Sequence, residues 1–290
     1  MKRVLITGQN SYIGTSFKEW IEKKYATEIS VEFITLRDEG WEKVNFSGYD
    51  AILHTAGIAH VPTKDNMKEL YENINTLLPF KVAKKASDEG VKQFVFLSSM
   101  IVFGNGTSQR NLIDASTEPA PIDIYGESKL KAEKLLLELN QPDFKISIVR
   151  PPMVYGPQSK GNFPSLLKFA KNIGVFPSYS NRRSMIFIDN LSECLAQIIL
   201  TEFSGTVHPQ NPSHVNTSEL ITLIRQEYGR KTIKIGIANS WIHYVVKKNK
   251  TFGKVFGNFA YTQQLSELPF EYQIIDTKTS IKLILGGNRG

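Results

Sequence analysis

Residues 3–14 have the sequence Arg-Val-Leu-Ile-Thr-Gly-Gln-Asn-Ser-Tyr-Ile-Gly, and this stretch decides the fold. Its first five residues form a largely apolar run typical of a buried β-strand, and a helical pattern follows the stretch. Gly8 and Gly14, with the small Ser11 between them, lie where the strand must turn tightly into the helix. Glycine permits such a turn and lets backbone amides approach a phosphate at a helix N-terminus. The stretch therefore predicts a loop that binds a dinucleotide pyrophosphate, with the Ser11 hydroxyl as a further donor to a phosphate oxygen.

Short β-branched runs alternate with longer amphipathic segments through the first 150 residues. This alternation predicts a doubly wound parallel sheet with helices on both faces. Pro79 falls inside the second helix and should kink or interrupt it. The predicted strands are Arg3–Thr7, Val31–Leu36, Ala51–Thr55, Phe94–Ser98 and Ile146–Arg150, and the predicted helices lie near 15–25, 65–88 and 126–139.

The pattern changes after Pro151-Pro152. We interpret the mixed part that follows as a smaller C-terminal α/β cap that binds substrate and returns once to the sheet. Its predicted elements are a helix near 163–173, a strand at Met185–Ile188, and helices near 191–201 and 218–228. The predicted boundaries are 1–156 and 184–206 for the dinucleotide-binding domain, and 157–183 and 207–290 for the cap.

The composition of the 290-residue chain is ordinary, with 41% hydrophobic and 22% charged residues. It excludes disordered, collagen-like and disulfide-scaffold proteins. The single cysteine, Cys194, excludes an intrachain disulfide and is predicted to lie buried in a helix. No window approaches the roughly 18 apolar residues of a membrane-spanning helix. We therefore expect a cytoplasmic protein without a membrane partner.

The net charge is +7, from 35 Lys and Arg against 28 Asp and Glu. These cations are spread thinly and do not alternate with aromatic residues, so we expect solvated helix faces and no nucleic-acid partner. The histidines lack the spacing of metal ligands, which predicts no metal site. His54, Trp41 and Trp241 are expected to pack against other parts of the protein.

The end of the second strand distinguishes the two nicotinamide cofactors. An acidic residue there accepts hydrogen bonds from the adenosine ribose, whereas Ile34-Thr35-Leu36 is followed here by Arg37. Arginine pairs with a 2′-phosphate, so the sequence favours NADP(H). The alternative is that Asp38 takes the acidic role and the cofactor is NAD(H).

Hydroxyl and amino groups that suit proton transfer follow later strands. Ser98 and Ser99 end a buried strand, and Tyr125 and Lys129 lie one turn apart on one face of the next helix. A nearby ammonium, together with an oxidised nicotinamide ring, favours the phenolate and should lower the pKa of the tyrosine, while the lysine holds the cofactor ribose. Ser99 would then hold the substrate oxygen.

Four further segments carry a resemblance to one family. Residues 50–57 are similar to its third-strand segment beside the cofactor, and residues 73–76 (Asn-Ile-Asn-Thr) to its helix Asn motif. Residues 150–157 resemble the turn under the nicotinamide, and residues 183–191 the segment whose arginine holds the nucleotide diphosphate. With the glycine loop and the Tyr-x-x-x-Lys pair, nearly the whole chain resembles the extended short-chain dehydrogenase/reductase family of sugar-nucleotide epimerases, dehydratases and reductases.

This resemblance implies an α/β Rossmann-type fold, a UDP-sugar substrate and a homodimer paired through two helices of the sheet domain. It implies that Ser99, Tyr125 and Lys129 are the catalytic trio. Arg183 would contact the substrate diphosphate, with its neighbour Arg182 as the alternative. The implied substrate contacts are Ser99, Tyr125, Asn162, Phe163 and Arg183. The implied cofactor contacts are Gly8, Asn10, Ser11, Tyr12, Ile13, Gly14, Arg37, Thr55, Ala56, Gly57, Asn73, Tyr125, Lys129, Pro152 and Met153.

The family carries out three reactions on one scaffold. Its dehydratases have an Asp-Glu pair directly after the strand-end serine or threonine, whereas this chain has Met100 and Ile101, which transfer no protons. Dehydration is therefore disfavoured. Residues 161–164, 181–185 and 252–261 are most similar to bacterial surface-polysaccharide 4-ketoreductases.

We therefore expect NADPH-dependent reduction of a UDP-4-keto-6-deoxy-N-acetylhexosamine to UDP-N-acetylfucosamine or UDP-N-acetylquinovosamine. The first alternative is a UDP-glucose or UDP-N-acetylglucosamine 4-epimerase with tightly bound NAD. The second is a non-catalytic NADP-binding regulator.

Overall fold

The computed structural model describes residues 1–59, 67–104, 112–236 and 257–286. The strands are β1 (Lys2–Thr7), β2 (Ile29–Ile34), β3 (Ala51–His54), β4 (Gln93–Leu97), β5 (Lys145–Val149), β6 (Met153–Tyr155), β7 (Val175–Pro177), β8 (Met185–Phe187), β9 (Gly205–Val207) and β10 (Ile233–Ile235). Six of them form a parallel sheet in the order β2-β1-β3-β4-β5-β9. This confirms the predicted doubly wound sheet.

The helices are α1 (Tyr12–Lys24), α2 (Met67–Tyr71), α3 (Leu78–Asp88), α4 (Ile124–Leu137), α5 (Asn162–Asn172), α6 (Ile188–Leu200), α7 (Thr217–Glu227) and α8 (Thr277–Gly286). Short 3₁₀ turns lie at Glu39–Lys43, Met100–Phe103 and Gln264–Ser266, and a π-helical turn at Glu72–Leu77. Within the described ranges, no helix combines the length and the apolar character needed to cross a membrane.

Apolar layers cover both faces of the sheet. One face packs against α1 and α6, with Phe17 and Leu195 in the layer, and the other against α3 and α4, with Val82 and Leu136. Because helices cover both faces, β3 and β4 consist entirely of buried residues. Cys194 lies in the first layer, buried in a helix as predicted.

The parallel register brings the polar segments to one edge of the sheet. Thr7 is level with Ile34 on one side and with His54 on the other. The segments that follow these strands therefore meet at the carboxyl edge, where α/β sheets bind their ligands. His54 itself is fully buried and packs against the rings of Phe94 and Phe96, as the sequence predicted.

Two small strand pairs lie outside the main sheet, β6 with β8 and β7 with β10. Helices α5, α7 and α8 pack around a third apolar cluster that includes Tyr155, Phe163 and Phe187. Strand β9 returns to the main sheet beside β5. It ends at Val207, one residue beyond the boundary predicted at 206.

The helix predicted near 65–88 is interrupted just before Pro79, as the sequence predicted. Helical residues run from Met67 to Asp88, but the Leu78 amide bonds to the Asn73 carbonyl in a π turn, and α3 begins at Leu78. Pro79 then lies in the first turn of α3, directly after this π turn. Trp41 packs in the core as predicted, whereas Trp241 lies outside the described residues.

Candidate functional site

The loop between β1 and α1 is closely fitted to the neighbouring strand. Gly8 has a φ of 95°, and a Cβ placed on it would lie 2.9 Å from both the Ala56 amide nitrogen and Thr55 Oγ1. Only glycine fits this conformation and this approach. Asn10, with a φ of 68°, is the other left-handed residue of the loop.

Ser11 is the N-cap of α1 and differs from its predicted role. Its Oγ accepts a 3.1 Å hydrogen bond from the Gly14 amide and lies 2.7 Å from Thr55 Oγ1. Thr55 donates its own hydrogen to the Thr7 carbonyl at 2.5 Å. Ser11 must therefore donate to Thr55, so its hydroxyl hydrogen is not free for a phosphate.

The free donors of the loop are backbone amides. The first i to i−4 bond of α1 runs from Thr15 to Ser11 at 2.9 Å, which leaves the amides of Tyr12 and Ile13 ahead of it. Together with the N-terminal end of the helix dipole, these two amides suit an anion. The loop thus fits the pyrophosphate of a dinucleotide.

Asn75 takes the position that the sequence assigned to Asn73. Asn73 is exposed, whereas Asn75 is buried and bonds Ile58 through both backbone groups, at 2.9 and 3.0 Å. Its amide also donates to Ser128 Oγ at 3.2 Å, and its Oδ1 would lie 3.1 Å from a Cβ on Gly57. Asn75 therefore supports the wall of the cleft beside Gly57, and Asn73 is replaced as the candidate.

Ser99 and Tyr125 come together from two elements. Ser99 follows β4 and caps the 3₁₀ turn, accepting from the Ile101 amide at 3.3 Å. Asp123 caps α4 by accepting from the Gly126 amide at 2.8 Å, which starts the helix just ahead of Tyr125. The side chains of Ser99 and Tyr125 are hydrogen-bonded to each other. A hydroxyl pair that could hold and protonate a substrate oxygen therefore lies at the carboxyl edge of the sheet.

Lys129 lies beside this pair and points to β4. Its Nζ donates to the Leu97 carbonyl at 2.8 Å and lies 4.5 Å from the centre of the Phe96 ring. Burial lowers the pKa of Lys129 to about 8, while the Glu133 carboxylate opposes this shift. The ammonium is therefore held against the sheet, close to Gly57.

The protein groups around Tyr125 raise its pKa. Burial raises the pKa of Tyr125 to about 12, and the hydrogen bond with Ser99 opposes this only in part. The ammonium of Lys129 is bonded to Leu97 and not to the phenol, which is why burial dominates. Tyr125 is thus a protonated phenol at neutral pH, a proton donor.

The end of β2 carries Arg37 on the surface. Its amide donates to Thr35 Oγ1 at 3.4 Å, and its side chain is exposed. The Asp38 carboxylate accepts a 2.9 Å bond from the Gly40 amide and caps the 3₁₀ turn that follows. Of the two residues, Arg37 has the freer side chain.

The turn after β5 borders the serine. The Met100 amide donates to the Pro151 carbonyl at 2.9 Å, which ties this turn to the segment after β4. Pro152 is buried, and Met153 begins β6 with a half-buried side chain. Both predicted contact residues thus lie next to the Ser99 segment.

On the cap, Arg183 and Arg182 point in different directions. Arg183 donates from NH1 to the Gly257 carbonyl at 3.1 Å, and burial lowers its pKa to about 10, which leaves it charged at neutral pH. Its backbone pairs with Val215 and with Phe259. Arg182 is exposed. The inward arginine is therefore the one the sequence favoured.

Asn162 and Phe163, the other predicted substrate contacts, are adjacent but differ in exposure. Asn162 begins α5 with an exposed side chain. Phe163 is 1% exposed, with its ring 4.9 Å from that of Tyr155 in the cap core. Phe163 was wrong as a contact, because its side chain packs inside the cap. In the described part of the chain, no cluster of His, Cys, Asp or Glu is suited to a metal ion.

Comparisons with known proteins agree with this geometry. The sequence model of the NAD dependent epimerase/dehydratase family matches residues 4–211. The chain is 30% identical to a UDP-glucose 4-epimerase from Vibrio cholerae, over 88% of this chain and 83% of that protein. Two examples illustrate the solved structures that share the fold. One is a UDP-N-acetylglucosamine 4-epimerase from Bacillus cereus, with a TM-score of 0.75 and 14% identity over 100% of both chains. The other is a dTDP-4-dehydrorhamnose reductase from Bacillus anthracis in complex with NADP, with a TM-score of 0.64 and 22% identity over 81% of this chain and 84% of that one.

Proposed function

Because the chain belongs to the NAD dependent epimerase/dehydratase family, we propose that it reduces the C4 carbonyl of a UDP-linked 4-keto-6-deoxy-N-acetylhexosamine with NADPH. The observation that carries this proposal is the hydrogen-bonded pair of Ser99 and Tyr125, with Lys129 one turn further along α4. The product would be UDP-N-acetylfucosamine or UDP-N-acetylquinovosamine.

The residues divide the reaction between them. NADPH, when bound, supplies the hydride that adds to C4. Tyr125 gives its proton to the oxygen that becomes an alkoxide, and Ser99 orients that oxygen by a hydrogen bond. Lys129 lowers the cost of the phenolate left on Tyr125 and holds the cofactor ribose. The amides of Tyr12 and Ile13 bind the pyrophosphate.

Arg183 supports a nucleotide-diphosphate substrate. Its guanidinium is half-buried and charged at neutral pH, which suits a diphosphate. The absence of a proton-transferring side chain at Met100 and Ile101 supports hydride transfer without dehydration. We keep the homodimer as a prediction that rests on the family resemblance.

The choice of NADPH rests on Arg37. An exposed guanidinium at the end of β2 suits a 2′-phosphate, whereas one oxygen of the neighbouring Asp38 carboxylate accepts from the Gly40 amide. A reductase must exchange its cofactor in each cycle, and NADPH is the reducing pool of the cell. Arg37 therefore favours net reduction.

The second candidate is a UDP-sugar 4-epimerase with tightly bound NAD. It is favoured by the 30% identity to the Vibrio cholerae enzyme. An epimerase needs the same serine, tyrosine and lysine, so the trio does not separate the two reactions.

The test is the absorbance at 340 nm of purified protein with NADPH, or separately NADH, and UDP-4-keto-6-deoxy-N-acetylglucosamine made by a dehydratase. Stoichiometric loss of NADPH absorbance supports the reductase, and the ring-proton couplings of the product identify the sugar. Protein that retains NAD and interconverts UDP-N-acetylglucosamine and UDP-N-acetylgalactosamine, without consuming NADPH, is an epimerase. Binding of NADP without turnover of either sugar would indicate a regulator.

A further inference from the structure

A buried carboxylate lies one helical turn beyond Lys129. Glu133 on α4 is 1% exposed, and Arg150 donates to it from Nε at 3.0 Å and from NH2 at 2.7 Å. Ser98, the neighbour of Ser99, donates its hydroxyl to the same carboxylate. Both oxygens of Glu133 are thus hydrogen-bonded, and three separate elements meet at one charge.

Arg150 makes further contacts beyond Glu133. Its NH1 lies 3.3 Å from His208 Nε2, and its guanidinium carbon lies 5.1 Å from the centre of the Phe103 ring. Burial, with the charge of Arg150, lowers the pKa of His208 to about 3, so His208 is a neutral acceptor. The Arg150 carbonyl accepts a 2.9 Å bond from the Tyr261 hydroxyl. The arginine therefore holds Glu133 in one place.

We propose that Glu133, clamped by Arg150 and Ser98, is a positioning residue that fixes the turn of α4 next to Lys129 and supplies the anion nearest to its ammonium along the helix. The carboxylate ties α4 to the segment that carries Ser99 and to the turn that leads to Pro152. Its negative charge lies on the same helix face as the ammonium, four residues on. The role in catalysis rests on the proposed function, whereas the effect on Lys129 belongs to the protein alone.

The groups around Lys129 leave Glu133 as the charge that stabilises the ammonium. From β3, the neighbour is His54, whose pKa burial lowers to about 3, so that it is neutral. From β4, the neighbours are the Leu97 carbonyl and the Phe96 ring, and from α4 the phenol of Tyr125. Arg150, the other charged group of this region, is paired with Glu133 at 2.7 Å.

The test measures protonation of Lys129 directly. Protein labelled with ¹³C at lysine Cε is titrated by NMR, and the Lys129 resonance is identified by its loss in Lys129→Arg. In Glu133→Gln the midpoint should fall from about 8 by about one pH unit or more, because the ammonium loses its anion. The alkaline fall of kcat should move by the same amount.

Two further variants separate positioning from stability. The double variant Glu133→Gln/Arg150→Gln removes both charges and therefore leaves no unpaired ion buried. It replaces the single variant if that variant unfolds. The control is Glu72→Gln, which breaks a 2.8 Å ion pair between Glu72 and Lys131 of α4. It should leave the titration midpoint of Lys129 unchanged. An unchanged midpoint in the folded Glu133 variants overturns the proposal. The titration needs neither sugar nor cofactor, so it stands even if the proposed reaction is not catalysed.

Discussion

The ammonium of Lys129 donates a 2.8 Å hydrogen bond to the carbonyl oxygen of Leu97. Leu97 is the last residue of β4 and precedes Ser99 by two positions. The bond therefore holds the helix that carries Tyr125 against the strand that carries the serine. It uses one of three ammonium hydrogens and leaves two for a ribose.

Replacing the proton donor tests the roles within the trio. Tyr125→Phe should lower kcat by about 10² to 10⁴, because the alkoxide loses its acid. The Kd for NADPH, measured by fluorescence, should stay within about twofold, since no backbone donor of the loop changes. Tyr49→Phe, which removes an exposed phenol contact to Glu32 on β2, is the control. Near-normal turnover in Tyr125→Phe would contradict the assignment.

Gly8→Ala should damage both folding and cofactor binding. The left-handed φ costs about 1–3 kcal/mol for a residue with a Cβ, and that Cβ would lie 2.9 Å from Thr55 Oγ1. We expect NADPH binding to weaken about tenfold or more, as measured by fluorescence titration.

Gly161→Ala is the control that separates the backbone strain of a positive φ from the steric clash of the added Cβ. Gly161 has a similar φ of 89°, but a Cβ on it would meet nothing within 4 Å. It should lose about 1–3 kcal/mol in urea unfolding and keep its affinity for NADPH. Equal effects of the two substitutions on binding would show that the close approach to Thr55 is unimportant.

Arg37→Asp should reverse the cofactor preference. Loss of a charge-assisted contact to the 2′-phosphate should lower kcat/KM with NADPH by about 10- to 100-fold. The new carboxylate should improve kcat/KM with NADH. Lys43→Asp makes the same charge change on the nearby surface and should leave the ratio of the two values unaltered. If Arg37→Asp leaves the ratio of kcat/KM with NADPH to kcat/KM with NADH unchanged, Arg37 does not select the cofactor. That result would favour Asp38 as the ribose contact, or an epimerase with bound NAD.

Asn75 and Asn73 offer a matched pair. Asn75→Ala removes three hydrogen bonds and leaves the Ile58 amide without its acceptor, so the free energy of unfolding should fall by about 1–3 kcal/mol. Asn73→Ala removes an exposed side chain and should change it by less than about 0.5 kcal/mol. Urea unfolding measures both, and a larger loss in Asn73→Ala would contradict the correction.

This pair shows where sequence reasoning ends. Alternating apolar runs predict the parallel sheet because each buried strand carries its own signal. Which of Asn73 and Asn75 faces the protein interior is decided instead by a π turn. Such a turn departs from the 3.6-residue period and cannot be recognised in the hydrophobic pattern of the sequence. Likewise, Phe163 looks available in its motif, and only the cap brings Tyr155 against it.

The clamp that Arg150 forms on Glu133 was missed for a related reason. Glu133 falls at a helical spacing from Lys129 and could have been noticed from the sequence. Its partner Arg150 lies 17 residues away on another element, beside β5. Only the packing of α4 against the sheet brings the two charges within hydrogen-bond distance.

The two cap arginines test the substrate. Arg183→Ala should raise KM for the UDP-sugar by about 10- to 100-fold, because the half-buried cation proposed to pair with the diphosphate is lost. Its Kd for NADPH should not change, since Arg183 lies on the cap and the loop amides remain. Arg182→Ala removes an equal charge from the adjacent exposed position and should leave KM within about twofold. UDP inhibition, measured with both variants, separates a diphosphate contact from a sugar contact: Arg183→Ala should weaken UDP binding by the same factor as KM. If Arg182→Ala has the larger effect, the inward arginine of the structure is not the one that binds the nucleotide.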